Sequence, residues 1–428
     1  MTAVAAPPRR SSLGILFLIV FTDLLGFGIV IPLLPRYGET LGASPAQLGA
    51  LLASYSLLQF VFSPVWGRLS DRFGRKPILV LSLVGSVIGY TLFAAARTIP
   101  LLILARAFAG VMAANLSTAQ AYIADVTPPE KRAKGMGIVG AAFGLGFSLG
   151  PFAGGALASL QGSAAFAPAR AWPFLGAIFS NPQGLPGLFA ALLSATALVL
   201  AIVLLPESLT GRAPARPKAS RLRLIWEAVN RPNVGIVYIL YFIYTFGFTQ
   251  MEVTLAQLIG HRFRLDISHS YWLFAWVGFL GAIVQGGLIG ALTRRFGERA
   301  LAAAGTLIVA ISLGAMSFVP GIPSLMVCLA LLAVGAGLST PSLSSLVSRL
   351  TPPTQQGSAL GIFQSISSIA RIVGPVVAQL LYQEGAHVHA PYLLATAAGT
   401  VGFLLSLRLF AKRDAEAGGM AASAAESS

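Results

Sequence analysis

Four ionisable residues lie inside long apolar runs of this sequence: Asp23, Arg106, Glu252 and Arg371. A charge at the centre of a lipid bilayer costs about 2.5 to 3.5 kcal/mol on insertion scales, so a chain keeps one only if it is paired, hydrated or used. A carboxylate in such a place changes its charge when water or a cation reaches it, which is what a proton carrier requires. We therefore predict that Asp23, Arg106 and Glu252 take part in proton coupling.

Each of the four residues also has a structural interpretation, and the sequence leaves both open. Asp23, near the middle of its run, is either a proton carrier or a permanent partner of Arg106. Arg106 is either a fixed positive charge that holds a carboxylate ionised or a side chain that extends to the outer headgroups. Glu252 would bind a cationic substrate, carry a proton or face a vestibule. Arg371 would attract an anionic group or pair with Glu252.

Amide side chains in the same apolar runs extend the candidate site. Each amide offers a substrate both a donor and an acceptor group. We expect the substrate to contact Asp23, Glu252 and Arg371 together with four amide side chains, those of Gln59, Asn115, Gln250 and Gln364.

The elements that position these residues are membrane-spanning helices. The chain is 56% hydrophobic and only 10% charged, which leaves too little polar surface for a water-soluble protein of 428 residues. A helix needs about 20 mostly apolar residues to cross about 30 Å of hydrocarbon. Twelve segments meet this requirement: 13–34, 45–66, 77–96, 100–122, 135–159, 185–205, 234–259, 270–292, 300–318, 324–347, 358–382 and 391–409.

The chain contains an internal repeat. GRLSDRFGRKP at 67–77 returns as GALTRRFGER at 290–299, and the Thr-Pro-Pro at 127–129 returns at 351–353. A repeat that keeps its register indicates a duplication. We predict an all-α membrane protein of twelve transmembrane helices in two pseudo-symmetric six-helix halves, 1–206 and 234–413. A cytoplasmic linker, 207–233, joins the halves, and we expect 414–428 to be a disordered tail.

The distribution of Lys and Arg predicts the orientation. Most of the 29 Lys and Arg fall in loops on one side, and the loops of the other side hold only Arg36, Arg97, Arg170, Arg262 and Arg264. Such an asymmetry on short loops places the basic loops in the cytoplasm. We expect a monomeric, multi-pass protein of the inner (plasma) membrane with both termini cytoplasmic. The net charge of +15 then reflects contact with anionic lipid, and we expect no nucleic-acid partner.

The sequence has no residue pattern typical of an enzyme or a metal site. Serine, histidine and acid do not form a triad at a recognisable spacing, and His387 and His389 alone give a metal too few ligands. We expect no catalytic residues, no metal and no cofactor, with a small molecule, protons and lipids as partners.

Four motifs resemble those of a known family. GRLSDRFGRK at 67–76 matches the loop 2–3 signature of the major facilitator superfamily, and LARAFAGVMAA at 104–114 matches its fourth-span arginine motif. Residues 23–35 match the first-span motif of its tetracycline exporters. The fifth-span motif of its antiporters is matched by Gly146, Gly150, Pro151, Gly154 and Gly155. The chain resembles a twelve-span drug/proton antiporter of this superfamily, closest to the tetracycline exporters.

This resemblance implies proton-driven export of small amphipathic compounds, including antibiotics, by alternating access of a central site. A nutrient or metabolite proton symporter or uniporter of the same fold is the alternative, and a non-transporting receptor is a third interpretation. The resemblance implies no enzymatic activity and no cofactor, since the proton gradient supplies the energy.

The resemblance also assigns a conformational latch and a packing face. In the latch, Asp71 docks against the other half, and Arg72 or Arg75 pairs with Asp125. The latch residues are Gly67, Asp71, Arg72, Gly74, Arg75 and Asp125. The small residues of the fifth span are expected to pack against the opposite half.

Two positions depart from the family pattern. Gly89, followed by Tyr90, stands where the third-span motif of the tetracycline exporters has an acid before its tyrosine, and Arg294 stands where the repeat would place a second Asp71. We therefore expect a cargo other than tetracycline and a latch in the first half alone.

Overall fold

The computed structural model describes residues 10–113, 115–127, 132–160, 163, 166, 168, 171–181, 183–209, 221–265, 267–352, 355–382 and 388–426. Nearly all of these residues are helical. A helix satisfies its backbone N–H and C=O groups internally, which lipid requires because it offers them no hydrogen-bond partner.

The first half contains helices α1 to α6. Helix α1, Arg10–Val30, continues through a 3₁₀ turn, Ile31–Leu33, into Leu34–Thr40. The other five are α2 (Pro45–Phe73), α3 (Arg75–Ala95), α4 (Ile99–Met112 and Asn115–Val126), α5 (Arg132–Leu160) and α6 (Gly184–Leu204).

The second half repeats this arrangement with α7 to α12. Helix α8 is Ile267–Ile283, a π-helical turn at Val284–Leu288 and the start of Ile289–Met316; α9 is the part of Ile289–Met316 that follows Gly297. The others are α7 (Val234–Phe263), α10 (Ile322–Arg349), α11 (Gln356–Leu381) and α12 (Ala390–Glu426).

The helices account for the twelve predicted crossings. Among the described residues, nine helices are long and apolar enough to span a membrane. One of them, His269–Met316, has 48 residues, too many for one crossing of about 30 Å, and its helical backbone breaks at Gly297. Two shorter apolar helices, Ile99–Met112 and Leu149–Leu160, belong to α4 and α5.

Equivalent glycines turn the chain in the two halves. Gly74, between α2 and α3, has φ 104° and ψ 160°, and Gly297, between α8 and α9, has φ 76° and ψ 159°. Side chains other than hydrogen are strongly disfavoured in this region of backbone space. The sequence repeat is therefore also a repeat of backbone conformation.

We call the end of the bundle with Gly74 and Gly297 the basic face, and the other end the opposite face. The halves are packed closely near the opposite face, where a Cβ on Gly49 of α2 would lie 3.1 Å from Val376 Cα of α11. Nearer the basic face, no described atom lies within 4 Å of the place where a Cβ on Gly67 would project, and a Cβ on Gly290 would meet only the end of the Arg294 side chain of its own half, at 3.9 Å. The two halves are thus packed unequally at the two ends.

Three predicted segments lie outside the transmembrane helices. The linker contains a helix, Arg221–Val229, while 210–220 lie outside the described residues. Helix α12 continues to Glu426, so the tail predicted to be disordered is helical through Glu426; its alanines favour a helix over an irregular chain. The outer loop 161–184 contains the helix Pro173–Phe179 and is only partly described.

Candidate functional site

Asp23 of α1 lies buried against α3 of the same half. The Ser86 hydroxyl donates to Asp23 Oδ1 at 3.3 Å, and the Tyr90 hydroxyl donates to the Asp23 backbone carbonyl at 3.3 Å. The Tyr90 ring fits because Gly26 leaves room for it: a Cβ on Gly26 would lie 2.6 Å from the Tyr90 oxygen. The carboxylate therefore lies between two helices with a hydroxyl group as a hydrogen-bond partner.

Arg106 of α4 is held by aromatic rings. Its guanidinium carbon lies 4.6 Å from the Tyr55 ring centre and 5.4 Å from the Phe27 ring centre. The two rings contact each other, with centres 4.8 Å apart. Cation–π attraction of this kind favours a desolvated arginine. Arg106 is only 3% exposed, so the interpretation in which it extends to the headgroups does not describe this conformation.

The second half contributes an ion pair to the same place. Arg371 Nη1 of α11 lies 3.2 Å from Glu252 Oε2 of α7, and both side chains are largely buried. The Arg371 guanidinium also lies 5.9 Å from the Phe27 ring centre, across the boundary between the halves. The pairing of Arg371 with Glu252 that the sequence left open is therefore present.

Phe27 is the residue that links Arg106 of the first half to the Arg371–Glu252 pair of the second half. Its ring is contacted by Arg106 from its own half and by Arg371 from the other half. Sequence reasoning selected charges in apolar runs and so missed Phe27, Tyr55, Tyr90 and Ser86. The signal for Phe27 was its position one turn after Asp23 on α1, which places both on one side of the helix.

The predicted amides have different places. Gln250 is fully buried and donates from Nε2 to the Gly374 carbonyl at 3.1 Å, which joins α7 to α11 within one half. Gln59 follows Tyr55 by one turn of α2, and Gln364 precedes Arg371 by two turns of α11; both are partly exposed. The side chain of Asn115 lies outside the described residues.

The predicted latch forms a network at the basic face. Arg75 Nε donates to Asp125 Oδ2 at 2.8 Å, and Arg75 Nη1 donates to Asp71 Oδ1 at 2.5 Å. Of the two candidate partners of Asp125, Arg75 makes the pair, whereas Arg72 is exposed and lies over the Phe73 ring. Arg75 is selected because it begins α3 directly beside α4.

Glu207 was missed as a latch residue. It follows α6, and its carboxylate accepts from the backbone N–H groups of Arg75 at 2.8 Å and Lys76 at 3.1 Å. A carboxylate at a helix N-terminus satisfies free N–H donors and favours the helix dipole. Gly74 is close to the same carboxylate and leaves no space for a Cβ.

The glycine motif of α5 packs mainly within its own half, which corrects the expectation of packing across the halves. A Cβ on Gly146 would lie 2.7 Å from Leu24, and one on Gly150 would lie 2.7 Å from Gly28, both on α1. Pro151 and Gly154 also face α1. Gly155 is the exception, since its Cβ position overlaps Tyr271 of α8 in the other half. The motif therefore fixes the helix that carries Asp23 and Phe27.

A polar cluster that sequence reasoning missed joins the halves near the opposite face. Gln257 Nε2 of α7 donates to Glu39 Oε1 at 2.5 Å and shares hydrogen bonds of 2.9 and 3.1 Å with Gln379 of α11. Glu39 follows α1 and also pairs with Arg36 at 3.0 Å. This cluster holds the two halves together near the opposite face.

The fold and this charged site at the boundary of two similar halves define a membrane transport protein. The chain belongs to the Major Facilitator Superfamily, whose sequence profile matches residues 16–289 and 237–425. Members of this family are transporters rather than enzymes.

Relatives cover nearly the whole chain. The tetracycline resistance protein, class C, of Escherichia coli is 31% identical over 86% of this chain and 88% of its own. Multidrug resistance protein 1 of Bacillus subtilis (strain 168) is 27% identical over 93% of this chain and 96% of its own. The crystal structure of the human organic anion transporter MFSD10 (TETRAN) superimposes with a TM-score of 0.71 and 26% identity, covering 94% of this chain and 100% of that one.

Proposed function

We propose that this protein is a secondary active transporter of the inner membrane that exports small amphipathic organic compounds in exchange for protons. The observation that carries the proposal is the buried Asp23 carboxylate beside α3, at the place where Arg106 and Arg371 approach one ring from the two halves. Similarity to tetracycline and multidrug resistance proteins supports the direction of transport.

The unequal packing of the two ends supports alternating access. The halves touch at Gly49 and Val376 and through Glu39 and Gln257 near the opposite face. With the basic face cytoplasmic, this is a conformation open toward the cell interior. Rocking of the halves would break these contacts and close the basic face over a bound substrate.

In this cycle the proton binds at Asp23 or Glu252. Asp23 accepts a hydrogen bond from Ser86, so its carboxylate has a polar partner when ionised. Arg106 stays charged throughout, which favours the ionised acid until a proton arrives. Each proton entering down the membrane potential supplies about 2.3 kcal/mol per 100 mV, in addition to the pH gradient.

A proton symporter or uniporter for nutrients or metabolites is the second candidate, and the Arg371–Glu252 pair favours it for acidic solutes. Protonation of Glu252 would release Arg371 to a solute anion, so that proton and anion would move together. The direction in which a proton gradient drives the solute separates the two candidates.

Asp23→Asn tests the proposal. In an efflux-deficient host, we expect the wild-type protein to lower accumulation of amphipathic dyes and antibiotics, and the variant to lose this effect while reaching the membrane in equal amount. Glu227→Gln, which removes an exposed carboxylate of the linker helix, is the matched control and should export normally. Unchanged export by Asp23→Asn would exclude Asp23 as the proton carrier, and raised accumulation by the wild type would favour the symporter.

A further inference from the structure

Two arginines from different halves converge on one aromatic ring. The guanidinium carbons of Arg106 and Arg371 lie 5.4 and 5.9 Å from the centre of the Phe27 ring. Like charges brought together in a low-dielectric region repel each other, so their approach requires compensation by negative charge. Glu252 supplies one such charge on the Arg371 side, and Asp23 lies on the Arg106 side, where Asp23 and Arg106 both act electrostatically on Tyr55.

Arg106 carries a hydrogen-bond donor that the protein does not use. Within the described part of the chain, the Nε of Arg106 is buried and has no hydrogen-bond partner, and the whole residue is only 3% exposed. An unsatisfied buried donor is unfavourable, and one on a charged group is more so. Tyr55 and Phe27 attract the guanidinium through their faces but accept no ordinary hydrogen bond from it.

The surroundings of this donor are apolar and aromatic. Phe27, Ile31, Tyr55 and Ala113 form one buried cluster next to Arg106. A ligand that satisfies the arginine and also fills such a site needs an anionic group joined to an apolar body. A cationic group has no acceptor to offer the buried Arg106 Nε, so it cannot satisfy this donor.

The position of the two arginines connects them with transport. Arg106 and Arg371 belong to α4 and α11, which lie in different halves, so any rocking of the halves changes their separation. An anion held by both would therefore bind with different strength in different conformations, which is the condition for a ligand to shift a conformational equilibrium.

We propose that the transport site binds an organic acid, with its anionic group between Arg106 and Arg371 and its aromatic body against Phe27 and Tyr55. This inference rests on the proposed function only in taking the centre of the bundle as the substrate site, and it holds for either direction of transport. Arginine suits the role because its planar guanidinium group carries paired N–H donors that can bind both oxygens of a carboxylate.

Three probes with one body and different charges test the proposal. Purified full-length protein is titrated calorimetrically with 2-naphthoate, 2-naphthylmethanol and 2-naphthylmethylamine. We expect naphthoate to bind at least tenfold more tightly than the alcohol, and the amine to bind more weakly than either. Equal binding of the acid and the alcohol would leave water as the partner of Arg106 and overturn the proposal.

Variants locate the anion. Arg106→Gln and Arg371→Gln should each weaken naphthoate binding at least tenfold with little effect on the alcohol, whereas Glu252→Gln should strengthen it by releasing Arg371. Arg223→Gln, on the exposed linker helix, is the matched control. Thermal unfolding identifies any variant that fails to fold. If Arg106→Gln fails to fold, Arg106→Lys is used in its place. This variant keeps the positive charge but loses the planar guanidinium group, so we expect it to bind naphthoate at intermediate strength. Naphthoate binding that survives Arg106→Lys and Arg371→Gln undiminished would overturn the proposal.

This experiment is independent of transport direction. Binding is measured in detergent without a gradient, so tight naphthoate binding combined with absent export would refute the exporter and leave the anion site. Export of neutral and cationic dyes, without any preference for naphthoate in binding, would refute the anion site and leave the exporter.

Discussion

The two halves of the protein carry the same ion pair with its charges reversed. In the first half, Arg75 at the start of α3 pairs with Asp125 at the end of α4 at 2.8 Å. In the second half, the repeat places Glu298 and Arg349 at the equivalent positions, and these pair at 2.7 Å. A third pair of equivalent positions is also reversed in charge, since Asp71 of the first half corresponds to Arg294 of the second.

A second contact is repeated without any reversal. Lys76 Nζ donates to the Ile202 carbonyl of α6 at 2.8 Å, and its equivalent, Arg299, donates to the Leu409 carbonyl of α12 at 3.0 Å. A cation suits the first place because Ile202 lies in the last turn of α6 and the C-terminal end of a helix is negative, whereas Leu409 lies inside α12. Both halves therefore keep a contact that holds two helices together. Either helix can carry the positive charge of the ion pair, because the two side chains only have to attract each other.

The halves differ in how deeply the arginine of the pair is buried, although Asp125 and Glu298 are similarly shielded, at 24% and 14% exposed. The Arg75 side chain is 3% exposed, whereas that of Arg349 is 68% exposed. Ser70 and Asp71 complete the surroundings of Arg75, and Glu207 covers the helix start next to it. The equivalent contact between helices is therefore a network around a buried arginine in the first half and a pair with an exposed arginine in the second half.

The largest expected effect is on stability, when the arginine of each of the two equivalent ion pairs is replaced. Arg75→Gln leaves Asp71 and Asp125 without their shared cation, and removing one partner of a buried pair costs about 3 to 5 kcal/mol. Arg349→Gln removes an exposed arginine, which costs under about 1 kcal/mol. Thermal unfolding of the two purified variants measures both, and equal shifts would contradict the difference in burial.

The helices and the repeat could be predicted from the sequence, because the length of an apolar run and the register of a repeat are read directly from the order of the residues. The helix count was confirmed by the twelve crossings and the family, whereas the roles of the charged residues stay predictions. What it could not give was the rotation of each helix about its axis. Three of the four motif glycines of α5 face α1 and only Gly155 faces the other half, and Arg371 reaches Phe27, because packing of many side chains decides these rotations together.

Choice among neighbouring arginines was also beyond the sequence. Arg72 and Arg75 lie less than one turn apart, and the turn at Gly74 directs Arg75 inward while Arg72 stays exposed. Glu207 was missed because its partners are backbone N–H groups, which leave no signature in side-chain composition. The aromatic partners of Arg106 were missed for a similar reason, since aromatic residues are common in any transmembrane run.

The next effect compares the two glycine turns. Gly74→Ala and Gly297→Ala both place a side chain where φ is positive and ψ extended, at a cost of about 1 to 3 kcal/mol. Gly74→Ala also drives the methyl group into the Glu207 carboxylate, whereas no atom of the described residues lies within 4 Å of the Cβ position at Gly297. We expect a larger fall in the unfolding temperature for Gly74→Ala.

The double variant Gly74→Ala with Glu207→Gly identifies the cause of that excess. Removing the Glu207 side chain relieves the overlap, so the added cost of alanine at position 74 should fall to the value measured at position 297. An added cost that stays the same would show that backbone strain alone, and not the carboxylate, separates the two turns.

The third reversed position, Asp71 in the first half and Arg294 in the second, should give the smallest change in stability. At this position we expect the two halves to differ in their effect on the transport rate. Asp71 accepts from Arg75 in this conformation, and we expect it to accept from the N-terminus of α11 when the basic face closes, since helix N-termini favour anions. Loss of one charge-assisted hydrogen bond of about 1.5 kcal/mol should slow transport about tenfold in Asp71→Asn, with little change in KM. Arg294 carries the wrong sign for a helix N-terminus, so Arg294→Gln should transport at nearly the wild-type rate. Equal slowing by both variants, or a loss of affinity as large as the loss of rate, would mean that both loops act alike and that the latch is not confined to the first half.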